Sequence, residues 1–219
     1  MADRARLLRV AACLCVLLTV TVGVAGCGGE SAESPVAQVS TPDDGFNGAA
    51  LPKPYHVPDV TLTDTEGDRY SVVSDSTTPL TLVFFGYTNC PDVCSVVMAD
   101  VASALTRLDP AERKQVRMLF VTTDPARDDP ATLRRYLDRF DPSFEGLTGP
   151  LTRITTLAKP LGVYIQKGQK LPSGGYEVSH GAQVIAMRDD GTAPLVWTGG
   201  TSAAQMAEDI PKLLHGAGS

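Results

Sequence analysis

One stretch of this chain, Leu80 to Cys94, constrains its fold more than any other, because a strand-forming run leads directly into two cysteines. Leu80 to Phe85 is almost continuously apolar, the pattern of a strand covered on both faces, and Gly86 with Asn89 ends it. A helix is expected next. Pro91 suits a first helical turn, Asp92 favours the positive helix start, and Val93, Val97, Val101, Leu105 and Leu108 recur at three- and four-residue steps. Cys94 then falls in the first turn with Cys90 at its mouth. Free backbone N–H groups and the helix dipole there favour thiolates, the form that attacks disulfides and binds metals, so both thiols are expected to be reactive.

The N-terminus has different chemistry. Arg4, Arg6 and Arg9 precede an apolar run from Val10 through Leu18 towards Val24-Ala25-Gly26-Cys27. This is the pattern of a signal peptide, and its last four residues resemble the lipobox of bacterial lipoproteins, where cleavage precedes a cysteine that carries diacylglycerol. Residues 1–26 are read as the signal and Cys27 as the lipidated first residue; a plain secretory signal and an uncleaved anchor are the alternatives. Each places the rest of the chain outside the cytoplasm, and acyl chains, at about 0.8 kcal/mol per buried methylene, would hold it on a membrane surface. Residues 27–50 are small, polar and turn-forming. They read as a flexible tether whose coil dimensions, about 5–6 Å times the square root of residue number, give a reach of roughly 25 Å.

The domain is expected over residues 51–219. Its net charge disfavours nucleic acid: the chain carries −6, and loss of residues 1–26 removes Arg4, Arg6 and Arg9 against Asp3, which makes it more acidic still. Of five cysteines, Cys13 and Cys15 leave with the signal and Cys27 is acylated, so Cys90 and Cys94 remain as the thiols of the mature chain. A purely structural disulfide between them would close a loop of three intervening residues and constrain little chain entropy, so a reversible redox pair is expected.

Around the cysteines the pattern predicts a hairpin from Val57–Thr63 and Tyr70–Val73, the core strand, a helix, and a second buried strand at Val116–Thr122. A helix at Pro130–Phe140, a third at Leu151–Leu161 interrupted by Pro160, strands at Ala182–Met187 and Pro194–Trp197, and a last helix at Ala203–Leu214 complete it. Asp189-Asp190-Gly191 is a hairpin turn signal. The order is that of an α/β, thioredoxin-like fold: a central mixed β-sheet flanked by helices, with an added N-terminal β-hairpin.

In that layout the start of the Ala182–Met187 strand faces the first helix, which brings His180 towards Cys90 and Cys94. Two soft thiolates and an imidazole suit copper before zinc, which would favour a fourth protein ligand. A capping or hydrogen-bonding role for His180 is the alternative. His56 and His215 lie at the domain's two ends and read as surface residues.

These residues resemble the Sco (SenC-type) copper chaperones, membrane-tethered thioredoxin-fold proteins that assist cytochrome c oxidase assembly. Phe84 to Cys94 is nearly the family signature, with three residues between the cysteines where thioredoxins have two. Thr122 to Asp128 is similar to the family's segment after the second core strand, and Tyr176 to His180 to its histidine segment. The resemblance implies Cys90, Cys94 and His180 as ligands for Cu(I) or Cu(II); Asp124 is not a ligand in that pattern and reads as a cap or supporting group, with a surface carboxylate as the equal alternative. It implies as partners the oxidase subunit carrying the dinuclear copper site, an upstream copper donor, and the membrane through the lipid anchor. Ser179 and Gly181 flank His180 where many relatives have acidic and hydroxyl residues, and Ser95 replaces the family's proline. A thiol-disulfide oxidoreductase of the thioredoxin type accounts equally for the cysteine pair but leaves His180 without a role. A peroxiredoxin-like peroxidase would need an activated lone cysteine with a supporting arginine and threonine, which this loop lacks.

Overall fold

A computed structural model describes residues 45–170, 176–179 and 182–216. In chain order it contains β1 (Ala49–His56), β2 (Thr61–Thr63), β3 (Arg69–Ser71), β4 (Leu80–Gly86), α1 (Val93–Thr106), α2 (Pro110–Arg113), β5 (Val116–Thr122), α3 (Pro130–Leu137), β6 (Glu145–Leu147) and α4 (Leu151–Ala158). A 3-10 turn (Lys159–Leu161), β7 (Gln166–Lys170), β8 (Tyr176–Ser179), β9 (Val184–Arg188), β10 (Thr192–Trp197) and α5 (Ala203–Leu214) follow. The expected signal, the expected lipidation site Cys27 and most of the expected tether lie outside the described residues, as does His180.

Strand β4 is buried at all seven positions because it is central and covered on both faces. It pairs in parallel with β5, from Leu80 opposite Val116 to Gly86 opposite Thr122, and antiparallel with β9. The mixed six-stranded sheet has the order β1-β10-β9-β4-β5-β6. Strand alternation divides the core in two. Leu82, Phe84, Met118 and Phe120 pack with Met98 of α1, Leu133 of α3 and Ile210 of α5. Val83, Phe85, Leu119 and Val121 pack with Leu62 and Tyr70 of the small hairpin and Ile154 and Leu157 of α4. The sheet therefore has helices on both faces, as the thioredoxin-like reading requires.

The sequence-derived elements recur with shifts that packing explains. The α1 stripe is rotated: Cys94, Met98, Val101 and Leu105 are buried, whereas Val93 is exposed. The helix also begins later than expected. Asp92 takes φ −135° and ψ −102°, outside the helical region, so Pro91 precedes the helix rather than occupying its first turn. Helix α3 stops at Leu137, short of the expected Phe140. The N-terminal hairpin is present but shorter than read, and forms its own two-stranded sheet. Strand β1 was not anticipated at all; it begins at Ala49, two residues before the expected domain start at Leu51, and adds an edge to the main sheet by pairing with β10.

The start of the described chain is held by an internal carboxylate. Asp209 on α5 is fully buried, and its two oxygens accept from the main-chain N–H of Asn47 at 3.0 Å each and from the Asn47 side-chain amide at 3.1 Å. They also accept from the Gly48 N–H at 2.9 Å and from Trp197 Nε1 at 2.9 Å. Lys212 lies 3.4 Å away, partly offsetting the buried charge. Gly48 is required there because a Cβ would come within 2.8 Å of Leu195 and Trp197 side-chain atoms.

Candidate metal centre

Strand β4 ends at Gly86, where a side chain could not be added: a Cβ would lie 2.8 Å from Phe84 and 2.9 Å from Phe120. The Gly86 carbonyl accepts from the Thr123 N–H at 2.7 Å, joining the ends of the parallel strands β4 and β5. The chain then turns, with the Cys90 N–H donating to the Tyr87 carbonyl at 3.2 Å, and enters α1. The loop lies at the carboxyl ends of parallel strands, where α/β sheets place their sites.

Both cysteines are thiols rather than a disulfide; Cys90 is half-buried and Cys94, the second residue of α1, has no exposed surface. Their side chains lie within hydrogen-bonding reach of each other. Burial pushes the Cys94 thiol well above its ordinary pKa. The Cys90 thiol and, more weakly, the Asp128 carboxylate raise it further, against a lowering hydrogen bond with the Tyr87 backbone. This corrects the expectation that the helix start makes both thiols ready thiolates: because Cys94 sits on the core-facing stripe, desolvation outweighs the dipole there. A metal ion must displace the Cys94 proton to bind.

The surroundings of the pair come from the loop after β5 and from helices α1 and α3. Asp124 is 6% exposed; its carboxylate pairs with Arg127, whose guanidinium lies 5.9 Å from the Tyr87 ring centroid. Asp124 thus holds a turn and an ion pair, consistent with the supporting role read for it. Tyr136 of α3 lies behind the pair. Burial raises its phenol to about 12; the Ser95 hydroxyl opposes the shift, while negative charge on Cys94 would increase it. Ser95, the residue in place of the family's proline, is exposed at the mouth of the site.

On the other side of α1's first turn a groove of about 310 Å³ is lined by Val93, Val96, Ala182, Trp197, Thr198 and Met206. Ala182, two residues before β9, lies beside the start of α1. His180 itself lies outside the described residues, and among these no three His, Cys, Asp or Glu side chains are grouped closely enough to hold a metal. The other histidines are peripheral. His56 is exposed at the end of β1, and His215, 3.5 Å from Glu112, is exposed at the end of α5.

Asp128 was not singled out in sequence. It lies in the segment from Thr122 that carries the resemblance, but only the fold reveals its contacts: it bonds Thr88, 40 residues earlier.

Known proteins are similar to this chain in sequence and fold. A protein of Stutzerimonas stutzeri, whose name marks it as a candidate copper-binding protein, is 30% identical over 149 residues, covering 68% of this chain and 72% of that protein. Mitochondrial SCO1 of Saccharomyces cerevisiae is 30% identical over 148 residues, covering 67% of this chain and 48% of that protein; the chain spans about half the length of the mitochondrial relatives it matches. The structure of Bradyrhizobium japonicum ScoI with copper bound has a TM-score of 0.64 and 31% identity, covering 72% of this chain and 99% of that one. With the SCO1/SenC family model matching residues 49–215, from the first strand of the sheet past the end of the last helix, the chain belongs to the SCO1/SenC family.

Proposed function

We propose that this chain is a membrane-tethered copper chaperone that delivers copper to the dinuclear copper site of cytochrome c oxidase. Cys90, Cys94 and His180 are its copper ligands. The observation that carries the reading is the pair of reduced thiols, Cys90 and Cys94, within reach of each other after the end of β4. Two soft sulfur donors, one half-exposed and one in a dry interior, suit Cu(I), and an imidazole extends the set to Cu(II). Uptake converts both thiols to thiolates and releases their protons to solvent, so loading and proton release are coupled. The B. japonicum structure supports the assignment of copper. Acylation at Cys27 tethers the domain to the outer face of the membrane; among the described residues no helix is long and apolar enough to cross one.

The same pair supports a second, compatible reading. The Cys90 thiolate would attack a disulfide on the target, forming a mixed disulfide and releasing one target thiolate. Cys94, once deprotonated, would then attack the Cys90 sulfur, releasing the second target thiolate and leaving a Cys90–Cys94 disulfide. Cys90 is the more accessible sulfur, which favours this order.

Titration of the mature chain, in which Cys90 and Cys94 are the remaining thiols, with copper tests the first reading. The reduced chain should take one copper and the oxidised chain none, with Cu(II) giving a sulfur-to-copper charge-transfer band in the visible spectrum. A reduced chain with neither that band nor tight Cu(I) binding overturns it. Mass spectrometry of the mature N-terminus should find diacylglycerol on Cys27; an unmodified N-terminus starting elsewhere removes the tether.

A further inference from the structure

Asp128 is completely buried, yet its carboxylate is directed at the cysteine loop rather than at solvent. Oδ2 accepts from the Thr88 main-chain N–H at 3.0 Å and from the Thr122 hydroxyl at 2.6 Å, while Oδ1 accepts from the Thr88 hydroxyl at 2.6 Å. The Asp128 carbonyl accepts from the Thr148 hydroxyl at 2.9 Å, and its N–H donates to the Asp124 carbonyl at 3.1 Å. Thr88 follows β4, Asp128 follows β5 and Thr148 follows β6. One residue therefore joins the three loops at the carboxyl ends of the parallel strands.

We propose that Asp128 is a positioning residue for copper: by clamping Thr88, two residues before Cys90, to the end of β5 it sets the separation of the Cys90 and Cys94 sulfurs. The inference rests on copper being held by these two cysteines. Thr88 lies inside the turn closed by the Cys90 N–H and the Tyr87 carbonyl, so a shift of its backbone is passed to Cys90 with little slack. Cys94 is fixed independently, by the burial of α1 against the sheet. The clamp acts on one sulfur relative to the other. Groups that orient metal ligands in this way are worth about 10–100-fold in affinity.

The chemistry predicts how variants should rank. Asp128→Ala removes all three side-chain bonds and leaves two hydroxyls and an N–H without their acceptor. Asp128→Asn keeps the shape: its oxygen can accept from the Thr88 N–H and Thr122, and its amide nitrogen can donate to the Thr88 hydroxyl. Thr88→Val removes one bond while preserving volume.

Copper affinity of the reduced mature chain, measured by competition with a chelator, should fall about 10–100-fold in Asp128→Ala. It should recover most of that loss in Asp128→Asn, with Thr88→Val between wild type and Asp128→Ala. The Cu(II)–thiolate band of Asp128→Ala should change in position or intensity, and alkylation of metal-free Cys90 on the loosened loop should become faster. Wild-type affinity, spectrum and alkylation in Asp128→Ala overturn the positioning role while leaving copper binding intact. A wild-type chain that takes no copper overturns the copper reading, and this inference with it. If Asp128→Ala does not fold, Thr88→Val decides: unchanged affinity and spectrum overturn the proposal.

Discussion

In cells grown at limiting copper, His180→Ala should lower assembled cytochrome c oxidase activity towards the level of a Cys90→Ser strain, and added copper should restore part of it. The expectation follows from an asymmetry between copper delivery and thiol exchange. Delivery needs every ligand, and loss of a contact worth only about 1.4 kcal/mol lowers affinity tenfold. If the imidazole is a ligand, its loss weakens the site, so limiting copper leaves more of it empty. Raising copper refills a weakened site by mass action, which explains partial rescue. Thiol exchange needs only Cys90 and Cys94, which His180→Ala leaves in place. Oxidase activity that stays at the wild-type level in His180→Ala at limiting copper would therefore assign the protein to target reduction. The Cys90→Ser strain should fail in both cases, and copper should not rescue it if its defect is a missing electron donor.

The largest expected loss of stability is at Asp209. Asp209→Ala leaves the N–H groups of Asn47 and Gly48 and the Trp197 indole N–H without their acceptor. Each buried unsatisfied donor costs about 1–3 kcal/mol, and removal of one partner from a buried charged network costs about 3–5 kcal/mol. A loss of about 3–5 kcal/mol is expected in urea unfolding, a large share of the 5–15 kcal/mol typical of a domain. Asp209→Asn should lose less, because its oxygen can still accept on one side while its amide opposes the donors on the other. A loss below about 1 kcal/mol in Asp209→Ala would show that β1 and α5 hold the chain start without this clamp.

Local pattern alone determined much of this molecule. A nearly unbroken apolar run at Leu80 to Phe85 can be stabilised only between two covered faces, and its seven-residue strand is buried throughout. The seven-residue strand Val116–Thr122 and helix Ala203–Leu214 fall where pattern alone predicts them, because each is long and strongly patterned. The cysteine pair and its loop were legible for the same reason: strand, breaker and helix follow one another within fifteen residues.

Short or non-local features were not legible. Strand β1 has no clear alternation and exists because β10 offers it an edge; β6 is three residues long and owes its place to β5. The chemistry of the cysteines also depended on tertiary structure. Sequence placed Cys94 at a helix start, where backbone dipoles favour a thiolate, but rotation of α1 against the sheet buried it, and desolvation reversed the sign of the expected shift. Asp128 carries no local sign of its task, since the residue it holds, Thr88, is 40 positions away and meets it only where parallel strands end side by side. Sequence by itself determined which donors this protein has and which fold it adopts. Tertiary structure alone decided which donor is buried and what holds the loop, because burial and hydrogen bonding between distant segments arise only when the sheet brings those segments together.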